Sequence, residues 1–140
     1  MVSAAKTANL PFALTLNTFV FAALHASNTG FSLLPFINLT LFGLLMGLYM
    51  IRGGSIWGAA ALHSVWNFAE GVLGSFSVSG MKMPTYLLGF SATEGKEIFT
   101  GGAFGPEGGL GVTFVLAVSL ALLAMAKTKT AESYVLPKEE

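Results

Sequence analysis

Two histidines, an asparagine and a glutamate sit in apolar surroundings in this sequence, and they are the residues with chemistry to offer. His63, Asn67 and Glu70 fall within Ser55 to Leu73, SIWGAAALHSVWNFAEGVL, a stretch otherwise almost wholly apolar. On a helix of about 3.6 residues per turn, steps of four and then three place these side chains on one narrow stripe. His25 closes the earlier apolar stretch LPFALTLNTFVFAALH. Ionisable groups inside a membrane segment cost about 2.5–3.5 kcal/mol each on insertion scales, so they are kept where they work. Two histidines can bind a metal, relay protons or activate water. A zinc site wants three protein ligands, so Glu70 or Asn67 would have to complete a set begun by His25 and His63. No H-E-x-x-H is present, so the plain zinc-protease signature fails. Two other readings stay open on these residues alone. His63 and Asn67 could simply hydrogen-bond across helices in a packed bundle. Glu70 and a histidine could form the relay of a small proton-coupled carrier, although no inverted repeat is visible.

The elements that must carry these residues are apolar and about four in number. Of 140 residues 54% are hydrophobic and only 10% charged, and mean hydropathy is +0.71. A soluble domain so poor in charge would leave large apolar patches facing water, so the expectation is an integral membrane protein. The fold class expected is an all-α, polytopic transmembrane bundle. Its spans lie near residues 10–25, 31–51, 55–73 and 110–126, with a loop at 74–109 and a polar tail at 127–140. Residues 10–25 read as a short first span with Pro11 in its first turn, since the small-residue cleavage pattern of a signal peptide is poor. Gly43 and Gly47 form a G-x-x-x-G pair that admits a neighbouring helix, and Asn38 in the same span needs a hydrogen-bond partner. In the loop, short interfacial pieces are expected at Tyr86 to Phe90 and Glu94 to Phe99, and Glu107 reads as a solvated glutamate in a glycine turn, the alternative being a loop residue over the site mouth. Trp57 suits an interfacial anchor and Trp66 bundle packing. Met46, Met50, Met81 and Met83 read as apolar filler.

Charge narrows the partners. Net charge is zero, the pI is near 6.7 and no basic run occurs, so nucleic-acid binding has no electrostatic footprint. There is no cysteine, which removes disulfide and thiolate chemistry. Four spans with the N-terminus in the cytoplasm put Lys6, Arg52, Lys127 and Lys129 on the inner side, as the positive-inside rule asks. The expected setting is a multi-pass protein of a bacterial plasma membrane.

Taken together, the motifs resemble those of the CPBP family of intramembrane proteases, also called the CAAX protease and bacteriocin-processing (Abi) family. Phe21 and His25 match F-x-x-x-H, and His63 and Asn67 match H-x-x-x-N. Arg52, Gly54, Ser55 and Trp57 match a recurring turn, and Phe104 to Gly109, FGPEGG, is similar to an element of bacterial members. The resemblance covers roughly residues 10–125 and implies hydrolysis of a peptide bond in a membrane-associated peptide or lipidated protein. It implies that His25 activates water or faces a metal such as zinc, with His63 as a second candidate ligand. His63 and Asn67 would donate to the developing oxyanion, and Phe21 would pack near His25. The family's E-E-x-x-x-R is absent; the only adjacent glutamates are Glu139 and Glu140. Glu70, on the stripe but on another helix, is an imperfect substitute for the missing base. The expectation is therefore the C-terminal portion of a family member, acting alone, with a partner chain or as a homo-oligomer. The alternative is a catalytically inactive membrane scaffold or binding protein of the same fold.

Overall fold

The structure is a computed structural model that describes residues 9–126, and it is all-α, with no strand among the described residues. The polar start, with Lys6, and the tail, with Lys127 and Lys129, lie outside the described residues. Four main helices follow in order: α1 Leu10–Ala23, α2 Leu33–Gly53, α3 Ile56–Asn67 and, after the loop, α5 Leu110–Met125. A single-turn helix, α4 Glu97–Thr100, lies within the loop.

Local chemistry explains most of the boundaries. Asn9 caps α1 by accepting a hydrogen bond from the Phe12 amide at 3.0 Å, and proline occupies the first turn as expected. Ser55 does the same for α3, accepting from the Trp57 amide at 3.2 Å. Gly54 closes α2 in the left-handed region, φ 65°, which a residue without Cβ enters at no steric cost.

α2 is the central element, with α1, α3 and α5 packed against it. Its approach to α1 is close at Gly43, where an added Cβ would stand 3.2 Å from the Thr18 Cα. Ala22, Leu39 and the fully enclosed Phe104 form the core, with Phe21, Phe31 and Phe36 around it. Phe104 thereby ties the late loop to the α1–α2 pair.

Two expectations about the spans change. Among the described residues only α2, at 21 residues, is long and apolar enough to cross a membrane by length and composition; α1 and α5 are shorter apolar helices of 14 and 16 residues. At about 1.5 Å per residue, 14 residues reach about 21 Å, short of a hydrocarbon core of roughly 30 Å. The third stretch is not one uniform helix either. α3 gives way at Phe68 to a π-helical turn, Phe68–Leu73, whose wider winding moves Glu70 off the uniform 3.6-residue stripe. The loop then folds back on that turn. The Leu87 amide donates to the Val72 carbonyl at 2.7 Å and the Leu88 amide to the Leu73 carbonyl at 3.1 Å, so Tyr86 to Phe90 is irregular and exposed. Of the other expected piece, only Glu97–Thr100 is helical.

Candidate functional site

The two histidines come from different helical segments and meet the same aromatic ring. Phe21, in the last turns of α1, has its ring centroid 4.8 Å from that of His25 and 5.8 Å from that of His63. Phe42 of α2 packs edge-on against His63 at 5.3 Å. Both imidazoles are half-buried, and His63 lies within electrostatic reach of His25 and of Glu107. His25 follows the end of α1, and its Nδ1 stands 2.8 Å from the Phe21 carbonyl oxygen. A carbonyl oxygen only accepts, so Nδ1 carries the proton. In the neutral ring Nε2 then keeps a free lone pair.

Asn67 and Glu70 are less simply placed. Asn67 Oδ1 is enclosed with no hydrogen-bond partner, so the cross-helix bond that a purely structural role predicts for His63 and Asn67 is not seen among the described residues. Glu70 is 8% exposed, and neither carboxyl oxygen has a partner.

The largest correction concerns Glu107. It is 6% exposed, not solvated, and its side chain is held from two sides: Trp66 Nε1 donates to Oε1 at 3.0 Å and Ser79 Oγ donates to Oε2. Its backbone is held as well. Asn38, 1% exposed on α2, donates from Nδ2 to the Glu107 carbonyl at 2.7 Å and to that of Gly109 at 3.0 Å, while its Oδ1 accepts from Thr113 Oγ1 at 2.7 Å. Asn38 thus finds an interhelical partner, Thr113 of α5, together with two loop carbonyls that spacing alone did not suggest.

Glycines let the chain close this tightly. Gly105 has φ 99°, and a Cβ there would stand 1.9 Å from the Ser77 carbonyl oxygen; Gly101, φ 81°, would stand 1.7 Å from the Gly105 oxygen. Trp66, expected mainly to pack the bundle, carries a site hydrogen bond, and Ser79 joins it from the turn after the π-helix. The signal in the sequence was indirect: a membrane-buried Asn38 and an indole N–H both need acceptors.

The metal expectation meets a donor set that does not fit it. Among the described residues no group of three or more His, Asp or Glu side chains is placed to hold a metal ion. His25 keeps Nε2 free, but Glu107 spends both carboxyl oxygens on Trp66 and Ser79. What the site does offer is an imidazole with a free Nε2, a second imidazole beside it, an amide group on the same helix, and buried carboxyl groups behind them.

Among curated proteins and among solved structures, nothing matches this chain. A family model does, that of the type II CAAX prenyl endopeptidase Rce1-like family, over residues 2–69, a segment that contains Phe21, His25, His63 and Asn67. The match covers just under half of the chain, so residues 2–69 are similar to this family of CAAX prenyl endopeptidases.

Proposed function

We propose that this chain is a multi-pass intramembrane endopeptidase that hydrolyses a peptide bond in a membrane-associated peptide or lipidated protein. His25 is the water-activating residue: its Nε2 takes a proton as the water oxygen bonds to the scissile carbonyl carbon, then returns it to the amine nitrogen as the C–N bond breaks. His63 and Asn67 donate hydrogen bonds to the oxygen that gains charge, a role in which one donor is typically worth about 100–1,000-fold in rate. Phe21 holds the two rings in register. The observation that carries the reading is the His25 Nδ1 contact with the Phe21 carbonyl at 2.8 Å, because it aims a basic Nε2 away from its own helix. In this topology the N-terminus and Arg52 face the cytoplasm, the loop faces outside and lipid surrounds the apolar faces. A substrate or a second chain would enter beside α1 and α3.

The test is cleavage of a fluorogenic, prenylated peptide by the purified full chain in lipid nanodiscs. His25→Ala and His63→Ala should each lower kcat/KM by at least about 100-fold with helical content unchanged. Undiminished cleavage by both variants overturns the proposal. A competing reading is a catalytically inactive scaffold or binding protein of the same fold. That reading predicts peptide binding without cleavage by the wild-type chain.

A further inference from the structure

Arg52 ends α2 with a donor that nothing accepts from. It stands half-buried in the last turn of the helix, and its Nη1 is enclosed with no hydrogen-bond partner among the described residues. A cation there suits the negative end of the helix, but that attraction uses the charge and leaves the N–H hydrogens unmet. The carboxyl groups of the described residues belong to the other end of the bundle. Glu70 lies in the π-helical turn beyond α3, and Glu94, Glu97 and Glu107 lie in the loop that follows it. From the turn after Arg52, α3 runs 12 residues, about 18 Å, before that turn begins. The anion that meets Arg52 has to come from elsewhere.

Beside Arg52 the helices part. α3 and α5 each pack on α2 far more than on each other. Between them lies a groove of about 410 Å³, lined by Leu45 and Tyr49 of α2, Leu62 of α3 and Ser119, Leu122 and Leu123 of α5. Sites for small molecules typically measure about 300–1,000 Å³. At about 100° per residue, Leu45, Tyr49 and Arg52 project within about 60° of one another, so the groove runs along α2 towards the guanidinium. Tyr49 forms the wall on the α3 side: its ring lies against Gly58, where an added Cβ would stand 2.8 Å from Cε1. Leu62 and Leu122 are both exposed, so in a membrane the groove opens to lipid rather than to water. What fits is a molecule apolar along its length with an anion at one end.

We infer that the cleft between α3 and α5 holds an anionic phospholipid. One acyl chain lies along Leu45, Leu62 and Leu122, and the phosphate accepts a hydrogen bond from Arg52 Nη1. A cation at a helix end sits at the level of lipid headgroups, and basic pockets between membrane helices are established headgroup sites. The lipid site needs the three helices packed in a membrane but no hydrolytic centre, so it goes beyond the peptidase reading and does not depend on it.

The experiment is native mass spectrometry of the delipidated full chain in detergent, titrated with phosphatidylglycerol or with phosphatidylcholine of the same acyl chains. Hydrogen bonds to charged groups are typically worth about one to two powers of ten in affinity. One phosphatidylglycerol should therefore bind per chain at least about tenfold more tightly than phosphatidylcholine, and Arg52→Gln should abolish that preference. Ser119→Phe, which fills the groove on the α5 side, should weaken binding of both lipids. Circular dichroism checks folding; should Arg52→Gln fail to fold, the wild-type comparison and Ser119→Phe still decide. Equal affinities for the two lipids in the wild-type chain, or a preference that survives in folded Arg52→Gln, overturns the inference. Displacement of the lipid by millimolar inorganic phosphate would assign Arg52 to a free anion, and a lipid-free dimer broken by Ser119→Phe would make a second copy the occupant; either also overturns it. A chain that binds the lipid as expected yet cleaves nothing would keep this site and remove the peptidase reading instead.

Discussion

Removing the Asn38 side chain should unfasten the loop that carries Glu107. The amide is 1% exposed and makes three short contacts, donating to the Glu107 and Gly109 carbonyls and accepting from Thr113. Interhelical polar contacts in membrane proteins average about 0.6 kcal/mol each, so the bonds alone amount to about 2 kcal/mol. Asn38→Ala also strands the Glu107 carbonyl, while that of Gly109 still accepts from the Thr113 amide at 3.2 Å, and an unsatisfied buried group costs about 1–3 kcal/mol. Thr113 keeps an alternative acceptor in the Gly109 carbonyl at 3.3 Å, which softens its share of the loss. The expected destabilisation is about 3–4 kcal/mol. Denaturant titration in mixed micelles, followed by tryptophan fluorescence, measures it well, because Trp66 reports on the Glu107 contact directly. Asn38→Asp should lose about as much, since it removes both donors and places a carboxyl oxygen against two carbonyls. A change below about 0.5 kcal/mol in both variants would refute the idea that Asn38 holds the loop.

The remaining expectations are briefer. Trp66→Phe keeps the ring and removes the N–H that serves Glu107 Oε1; stability should fall by about 1–3 kcal/mol, read in the same denaturant titration. Gly105→Ala puts a Cβ on the Ser77 carbonyl in a φ 99° conformation and should cost at least about 2 kcal/mol, while Gly53→Ala, with open space around it, should be nearly silent. The chain has no cysteine, so single cysteines report topology cleanly: Lys96→Cys should react with an impermeant maleimide from outside the cell, and Gly53→Cys only after lysis. The reverse pattern would invert the proposed orientation.

The all-α architecture was legible because it rests on long apolar runs broken by Gly, Ser and Asn, and cap residues stand where the helices begin. The F-x-x-x-H and H-x-x-x-N spacings could be read directly, since Phe21 and His25 lie one helical turn apart. Three features were not legible, for physical reasons. The π-turn at Phe68–Leu73 leaves little mark in composition, so a uniform helix to Leu73 was the natural expectation. Span lengths were read from apolar content, but the turn after Ala23 and the π-turn at Phe68 end α1 and α3 early, while α2 keeps 21 residues two positions later. Glu107 stands between Pro106 and two glycines, a composition that ordinarily means a solvated turn. Only the tertiary demand of Asn38, Trp66 and Ser79 for acceptors brings it inside.

In the proposed mechanism His25 and His63 act as one centre around Phe21, and a double-mutant cycle in kcat/KM probes that coupling. Residues that act as a unit are strongly non-additive, so His25→Ala/His63→Ala together should cost about the same as either change alone. Losses that multiply, each factor unaffected by the other, would show two independent residues and contradict a shared hydrolytic site.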